Sequence, residues 1–321
     1  MVRTIMVPLD GSRFAEHALP IALGLARECA GRVHLVQAHE PPPVPSSPDI
    51  LIPYDGDWDA ATRGNERSYL DGVANRVAER AGVTVRTELL DGVPTMALAT
   101  YAREMELDLI VMTTHGRGGL SRMWLGSVAD GVVRRSGVPV LVLRPTEEEV
   151  DYEARLTSRH ILIPLDGSEL SHGIIETAAW LGSLTGARYT LLRVTVPVPV
   201  LRAPGPLSDD GFAAKLVAEQ EQHARAYLDR VSEGLRSRGL EVETAIVAHT
   251  SPASAILEFA AKNAVDLIGI ATHGRGGWSR LALGSVADKV LRGSMIPVLL
   301  YRPPAVKVAE PTVVASRNEQ R

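Results

Sequence analysis

The sequence predicts an α/β protein of two tandem, doubly wound domains, each a five-stranded parallel, Rossmann-like sheet with strand order 3-2-1-4-5. Three observations predict this fold class. A long glycine-rich segment occurs twice, short apolar runs alternate with longer amphipathic stretches, and each glycine-rich segment follows an apolar run where a strand would end. Such alternation is typical of parallel strands joined by right-handed crossover helices.

The chain contains an internal repeat. The segment THGRGGLSRMWLGSVAD at 114–130 recurs as THGRGGWSRLALGSVAD at 272–288, which is 158 positions later. The segment TIMVPLDGS at 4–12 matches HILIPLDGS at 160–168 with an offset of 156. A slip of two residues between these matches is readily absorbed by a loop. The repeat indicates two copies of one module.

The extent of the repeat predicts the domain boundaries. We expect one domain at 1–146 and a second at 158–303. The charged segment PTEEEVDYEARLTS at 145–158 is expected to be a flexible joint between them. The weakly patterned residues 304–321 are expected to form a flexible tail.

Each copy contains five strand-like runs separated by four helical patterns. In 61–81, for example, Tyr69, Val73 and Val77 recur at helical spacing. A proline-rich segment follows the second strand of each copy, at 40–57 and 196–210, and is either a stiff loop or a lid over a nearby site. The strand-like runs lie at 2–8, 32–38, 83–90, 107–113 and 138–143, and at 160–165, 188–194, 241–248, 266–271 and 296–301.

The fifth strands predict how the two copies meet. VPVLVL at 138–143 and IPVLLY at 296–301 are apolar, and each is a sheet edge in the expected strand order. We expect the two edges to pair within the chain as an intramolecular pseudo-dimer, because the covalent joint raises their effective concentration. The alternative is pairing with another chain, and a homodimer through other surfaces stays open.

Composition excludes several functional classes. The formal net charge of −4 argues against a protein that coats nucleic acid, and aromatic residues make up only 4% of the chain. No apolar run is long enough to span a bilayer, and no secretory signal pattern is present. The lone Cys29 cannot form an intramolecular disulfide, and its place in a helical pattern favours packing over reactivity. We expect a cytoplasmic protein with no nucleic-acid or membrane partner.

Two features at strand ends predict an anion site in each copy. PLDGS closes the first strand, and the glycine-rich segment closes the fourth strand and opens a helix at Gly126-Ser127 and at Gly284-Ser285. Glycine allows the backbone to approach an anion, and a helix N-terminus offers free N–H groups and a positive dipole end. Ser127 and Ser285 can cap the helix, bind phosphate, or do both.

Other polar residues near these strand ends have two interpretations each. Asp10 and Asp166 either form Asx turns or read the edge of a base. Arg117 and Arg122, with their counterparts in the second copy, either reach phosphates or are solvated. His115 and His273 each precede a glycine at a strand end. Neither has a cysteine or acidic residue at metal-ligand spacing, so we expect no metal site. The segment is not a P-loop, because it lacks GxxxxGK[ST], and no nucleophile, base and acid set stands out.

The glycine spacing resembles that of the universal stress protein family in its tandem form, over nearly the whole chain. The ATP-binding branch of that family carries Gly, two residues, Gly, nine residues, then Gly-Ser or Gly-Thr. Gly116 followed by nine residues and Gly126-Ser127 fits the last two parts, as does Gly274 followed by Gly284-Ser285. The first glycine is replaced by Thr113 and Ala271.

The resemblance implies an adenine-nucleotide-binding regulatory protein that binds ATP, with or without Mg²⁺; AMP and ADP are also compatible. It assigns base contacts to Asp10 and Asp166, and to Ala38 and Val194 after the second strands. The alternatives are a slow ATP hydrolase or phosphotransferase, and a nucleotide-free scaffold. We expect no dedicated catalytic residues. The predicted nucleotide-binding residues are Pro8, Leu9, Asp10, Ala38, Thr113, His115, Gly116, Arg117, Gly119, Gly126, Ser127 and Val128, with Pro164, Leu165, Asp166, Val194, Ala271, His273, Gly274, Arg275, Gly277, Gly284, Ser285 and Val286 in the second copy.

Overall fold

The computed structural model describes residues 2–41, 56–114, 125–197, 210–272 and 283–302. Most of each proline-rich segment lies outside these residues, so its two interpretations, a stiff loop or a lid, both stay open. Within the described ranges, no helix is both long and apolar enough to cross a membrane.

The first half has five strands, and helices connect them in sequence. The strands are β1 (Thr4–Leu9), β2 (Arg32–His39), β3 (Thr84–Asp91), β4 (Leu109–Thr113) and β5 (Val140–Leu143). The helices are α1 (Arg13–Glu16), α2 (Leu19–Glu28), α3 (Gly56–Ala81), α4 (Pro94–Glu104) and α5 (Ser127–Arg135).

The second half repeats this order. Its strands are β6 (His160–Pro164), β7 (Arg188–Thr195), β8 (Val242–Ala248), β9 (Leu267–Ala271) and β10 (Val298–Tyr301). A 3-10 turn at Glu169–His172 precedes α6 (Gly173–Thr185), and the other helices are α7 (Asp210–Arg236), α8 (Pro252–Lys262) and α9 (Ser285–Gly293).

The crossover from β1 to β2 differs from the single helix that the sequence predicted. It is divided into α1 and α2, with the break at His17 and Ala18. Pro20 lies in the first turn of α2. A proline is tolerated there but would break a continuous helix, because it lacks an N–H and clashes with the preceding turn.

The ten strands of the described residues form one sheet in the order β3-β2-β1-β4-β5-β10-β9-β6-β7-β8. Each half therefore has the predicted order 3-2-1-4-5, with parallel pairing inside the half. Helices α2, α3, α6 and α7 contribute to one apolar cluster, and α4, α5, α8 and α9 contribute to another. Coverage of both faces explains why the strands are nearly continuous apolar runs.

The two halves meet through their fifth strands, in the intramolecular arrangement that the apolar edges predicted. β5 and β10 pair antiparallel, with Val142 opposite Val298 and Val140 opposite Leu300. Val140 and Leu300 are each 1% exposed. Because each strand covers the other's edge, neither fifth strand is left as an open apolar edge.

A reciprocal pair of arginine contacts accompanies this pairing. The Arg144 guanidinium, just after β5, donates to the Arg292 carbonyl at the end of α9 at 3.0 Å. The Arg302 guanidinium, just after β10, donates to the Arg134 carbonyl at the end of α5. Each half thus supplies a cation to the C-terminal, negative end of a helix in the other half.

The connecting segment that was expected to be flexible is anchored to the first half. The Tyr152 hydroxyl donates to a Glu16 carboxylate oxygen at 3.1 Å. Tyr152 and Leu156 also pack against the apolar core. These contacts hold the segment against α1 and the apolar core.

Candidate functional site

The predicted site lies where the chain order reverses in each half, at the carboxyl ends of β1 and β4. β1 pairs with β2 on one side and with β4 on the other, so the crossovers from β1 and β4 leave in opposite directions. Open α/β sheets bind ligands in the crevice that forms at such a point. In the second half, β6 and β9 have the same relation.

Gly126, the N-cap of α5, lies against Thr114, the residue that follows β4. The Gly126 N–H donates to the Thr114 carbonyl at 2.8 Å. A Cβ added at Gly126 would lie 2.8 Å from that carbonyl oxygen, which is closer than a side chain tolerates. In the second half, the Gly284 N–H donates to the Thr272 carbonyl at 2.7 Å. Glycine is therefore required at Gly126 by the approach of the strand end.

The serines occupy the first position of helices α5 and α9, and the glycines before them are the N-caps. Ser127 and Ser285 are both exposed at these helix N-termini. The serines are therefore not the N-caps, because the glycines take that role. The serine hydroxyls lie in the first turn of each helix. Backbone N–H groups in a first turn have no partner inside the helix, so this end of each helix can accept an anion.

Of the residues that follow each serine, a valine packs on the core and an aspartate forms an ion pair within the helix. Val128 and Val286 are half-buried and pack against the apolar cluster beneath the site. Asp130 pairs with Arg134 at 2.7 Å, and Asp288 pairs with Arg292 at 3.0 Å. Each carboxylate in a first turn thus has a cation one turn further along its helix.

Both aspartates at the end of the first strand form Asx turns. Asp10 Oδ1 accepts from the Ser12 N–H at 3.0 Å and from the Ser12 hydroxyl at 2.6 Å. Asp166 Oδ1 accepts from the same two groups of Ser168 at 2.9 and 2.6 Å. In each turn the glycine between the aspartate and the serine has a positive φ, 83° at Gly11 and 82° at Gly167. Glycine adopts this conformation without strain.

The other described residues of the predicted site lie at the same edge of the sheet. Pro8 and Leu9 end β1, while Pro164 ends β6 and Leu165 follows it. Ala38 lies in β2 opposite Leu90, and Val194 lies in β7 opposite Val247. Thr113 and Ala271, which replace the first glycine of the motif, are the last residues of β4 and β9.

The middle of each glycine-rich segment lies outside the described residues, so those predictions stay predictions. They concern His115, Gly116, Arg117 and Gly119, with His273, Gly274, Arg275 and Gly277 in the second half.

Sequence reasoning missed a buried charged cluster at the end of β2. The imidazole of His39, 1% exposed, contacts a Glu66 carboxylate oxygen at 2.7 Å through Nδ1 and an Asp59 oxygen at 2.9 Å through Nε2. Arg63 bridges Asp59 at 2.9 Å and Asp91 at 2.6 Å. Burial lowers the pKa of His39, but hydrogen bonds to Asp59 and Glu66 outweigh this effect and the pKa is raised. The seven-residue spacing of Asp59 and Glu66 on one helix face was the available signal.

The second half has a cavity of about 390 Å³ near the end of β7, the strand that corresponds to β2. Its walls include Gly167, Arg193, Thr195, Ala224 and Tyr227, so it lies between the carboxyl ends of β6 and β7 and helix α7. The Arg193 guanidinium donates to the Leu165 carbonyl at 3.0 Å. This cavity is in the size range of small-molecule sites.

Cys29 is the C-cap of α2, and its thiol donates to the Ala26 carbonyl. Burial raises the pKa of its thiol, which disfavours the nucleophilic thiolate.

In the part of the chain that the structure describes, no three His, Cys, Asp or Glu side chains are grouped so that they could hold a metal ion.

Comparison with known proteins follows the division into halves. The sequence model of the "Universal stress protein family" matches residues 1–144 and again residues 157–302. A universal stress protein of Mycobacterium tuberculosis is 28% identical over 315 residues, which cover 94% of this chain and 95% of that protein. Another, from Methanocaldococcus jannaschii, is 32% identical over 151 residues, which cover 46% of this chain and 86% of that protein.

A solved structure has the same fold. The crystal structure of a universal stress protein from Archaeoglobus fulgidus superposes with a TM-score of 0.65 at 21% identity, covering 94% of this chain and 97% of that one. At this level of identity the likeness establishes the architecture alone.

Proposed function

This chain belongs to the universal stress protein family, and from that premise we propose that it is a regulatory protein that binds adenine nucleotides. The nucleotide is held at the carboxyl ends of the first and fourth strands of each half. One observation carries the proposal: in both halves the fourth strand is joined through a glycine N-cap to a helix whose first residue is an exposed serine.

The phosphates bind at the N-termini of α5 and α9. These ends present free backbone N–H groups, the positive end of the helix dipole and the hydroxyls of Ser127 and Ser285. The Gly126 and Gly284 nitrogens lie 2.8 Å and 2.7 Å from the carbonyl oxygens of Thr114 and Thr272. This approach leaves backbone rather than side chain at the point where a phosphate would bind.

The base binds beside the first two strands of each half. Asp10 and Asp166 are held in one direction by their Asx turns, since each Oδ1 accepts two hydrogen bonds. Ala38 and Val194 supply the adjacent apolar surface. ATP is the proposed ligand, with Mg²⁺ bound through the phosphates rather than through a protein cage.

We propose binding rather than hydrolysis as the main activity. The Oδ1 atoms of Asp10 and Asp166 each accept hydrogen bonds from the N–H and the hydroxyl of a serine, which ties these carboxylates to their turns. Phosphate release above the background rate, lost when Ser127 and Ser285 are replaced, would instead indicate a hydrolase.

The proposal is tested by calorimetry of ATP binding to the chain carrying Ser127→Asp and Ser285→Asp. An aspartate in the first turn of a helix stabilises the fold, typically by about 0.3–1 kcal/mol, because it complements the dipole. The same charge repels a phosphate, so we expect ATP affinity to fall by at least about tenfold, or roughly 1.4 kcal/mol.

The matched control replaces the same serines with asparagine, which has the shape of aspartate without its charge. We expect the control to lose less affinity. ATP affinity that is unchanged in the aspartate variant would show that the phosphates bind elsewhere. Mass spectrometry of the nucleotide that co-purifies with the chain identifies the ligand.

A further inference from the structure

The two halves can be aligned residue by residue around the proposed base site. In the second strands the offset is 156, so His39 of β2 corresponds to Thr195 of β7. In the following helices the offset is 158, which places Tyr69 of α3 at Tyr227 of α7. With this offset Glu66 corresponds to Ala224.

In the first half, the space between the end of β2 and α3 is filled. His39 is 1% exposed and bonds Glu66, whose side chain is 13% exposed. Asp59 bonds the other imidazole nitrogen, and its side chain is 8% exposed. These three side chains pack α3 against the end of the strand immediately beyond Ala38.

In the second half, the corresponding space is a cavity. The residues at the positions of His39 and Glu66 are Thr195 and Ala224, and both line the cavity of about 390 Å³. The side chains there are shorter by an imidazole ring and by a carboxylate arm. The smaller side chains of Thr195 and Ala224, in place of His39 and Glu66, thus explain the open volume.

The cavity adjoins the proposed base site. Gly167, which follows Asp166, and Val194 both form part of its wall. These residues flank the position where the base edge is read in the proposed function. A base bound beside Asp166 in the second half therefore has space behind it, whereas one bound beside Asp10 meets the His39 cluster.

The chemistry of the cavity also suits a nucleotide. Its described wall includes Arg193 and His223 but no carboxylate. Val196 lines it at 48% exposure, and Val217, one turn before Gln220 on the same helix face, is 45% exposed. The first half has Glu40 and Asp59 at these two positions. An anionic ligand with a flat apolar part matches the second set. The first half instead offers the carboxylate of Glu40 and an Asp59 that is already paired with His39 and Arg63.

From these differences we infer that the two nucleotide sites are unequal, and that the second half is the high-affinity site. Thr195 and Ala224 open the cavity behind the base, and His39 and Glu66 close its counterpart. This inference rests on the proposed function and adds to it which half binds, and which residues decide the difference.

The test is calorimetry of ATP binding to the full chain and to exchange variants. For the wild-type chain we expect one tight site and a second at least about tenfold weaker, because lost space for even a small group changes affinity by about that factor. Thr195→His with Ala224→Glu places the first-half pair in the second half and should weaken the tight site by about the same factor. His39→Thr with Glu66→Ala is the matched reverse exchange, and it should strengthen the weak site.

A second variant guards against failure to fold. Ala224→Leu fills the cavity with an apolar side chain and adds no buried charge, and it should also weaken the tight site. Thermal unfolding of each variant reports whether the fold is retained.

Two equal sites in the wild-type chain would overturn the inference and leave the proposed function intact. A tight site that survives in both the exchange variant and Ala224→Leu would overturn it as well. No binding of ATP, ADP or AMP by the wild-type chain at millimolar concentration would refute the proposed function itself, together with this inference.

Discussion

At the scale of single residues, the site depends on where glycine is required and where it is merely present. Gly126 is required, because its Cβ would meet the Thr114 carbonyl at 2.8 Å. Gly24, in the middle of α2, would have nothing within 4 Å of an added Cβ. The two glycines therefore form a matched pair for a substitution by alanine.

We predict that Gly126→Ala destabilises the chain and that Gly24→Ala does not. The first change forces the loop away from the strand end, at a cost on the order of 1–3 kcal/mol for an overpacked position. The second replaces a helical glycine in open space and should stabilise by about 0.5–1 kcal/mol. Urea unfolding of both variants measures the difference, and equal effects on the free energy of unfolding would contradict the predicted clash.

At the scale of elements, α3 is fixed to β2 by a buried ion-pair cluster. The two imidazole nitrogens of His39 lie within hydrogen-bond distance of carboxylates 20 and 27 residues further along the chain, at Asp59 and Glu66. The protonated imidazole satisfies both acceptors, whereas the neutral ring can donate to only one of them. The anchoring of α3 therefore depends on the charge of one histidine.

We predict that this anchoring weakens as the pH rises. The pKa of His39 is raised above 6.5 in the folded chain, so its contribution to stability is fully present below 6.5 and is lost as the pH passes the folded pKa. The difference in unfolding free energy between the wild-type chain and His39→Gln should shrink from mildly acidic to alkaline pH.

The imidazole titration itself can be followed by NMR. An imidazole of His39 that titrates below the ordinary value would contradict the prediction. Gln222→Asn, at an exposed position of α7, is the control: it alters no titratable group, so its effect on stability should not vary with pH.

At the scale of the whole molecule, the antiparallel pairing of β5 and β10 makes one sheet from two halves. The pairing buries Val140 and Leu300 almost completely. The reciprocal contacts of Arg144 and Arg302 hold the last turns of α9 and α5 across the same boundary. Because α5 and α9 begin at the proposed phosphate sites, this boundary also joins the far ends of the two site helices.

We predict that Val140→Lys separates the halves. A lysine at a position that is 1% exposed loses its hydration without a partner, which costs several kcal/mol. The freed apolar edge of β10 should then cause aggregation. Light scattering and thermal unfolding measure both effects, with Thr84→Lys on the exposed edge strand β3 as the control. A soluble variant with normal mass and melting temperature would show that these strands do not hold the halves together.

The sequence by itself determined the features that depend on periodicity and repetition. Apolar runs and helical spacing predicted ten strands in the order 3-2-1-4-5 per half, and the apolar ends of the modules predicted that β5 and β10 cover each other. The glycine and serine positions predicted where the helices α5 and α9 begin. The elements are readable because burial and backbone freedom act over a few neighbouring residues. The strand order and the pairing of the fifth strands are readable because one module is repeated along the chain.

Only the tertiary structure decided which polar side chains meet. His39 and Glu66 are 27 residues apart, and Arg144 and Arg292 are 148 apart. Periodicity tells which face of an element is buried, but the partner of a side chain depends on how two elements are placed in space. The same reason hid the inequality of the halves: Thr195 and Ala224 are ordinary residues in the sequence, and they form a cavity only because α7 lies over the end of β7.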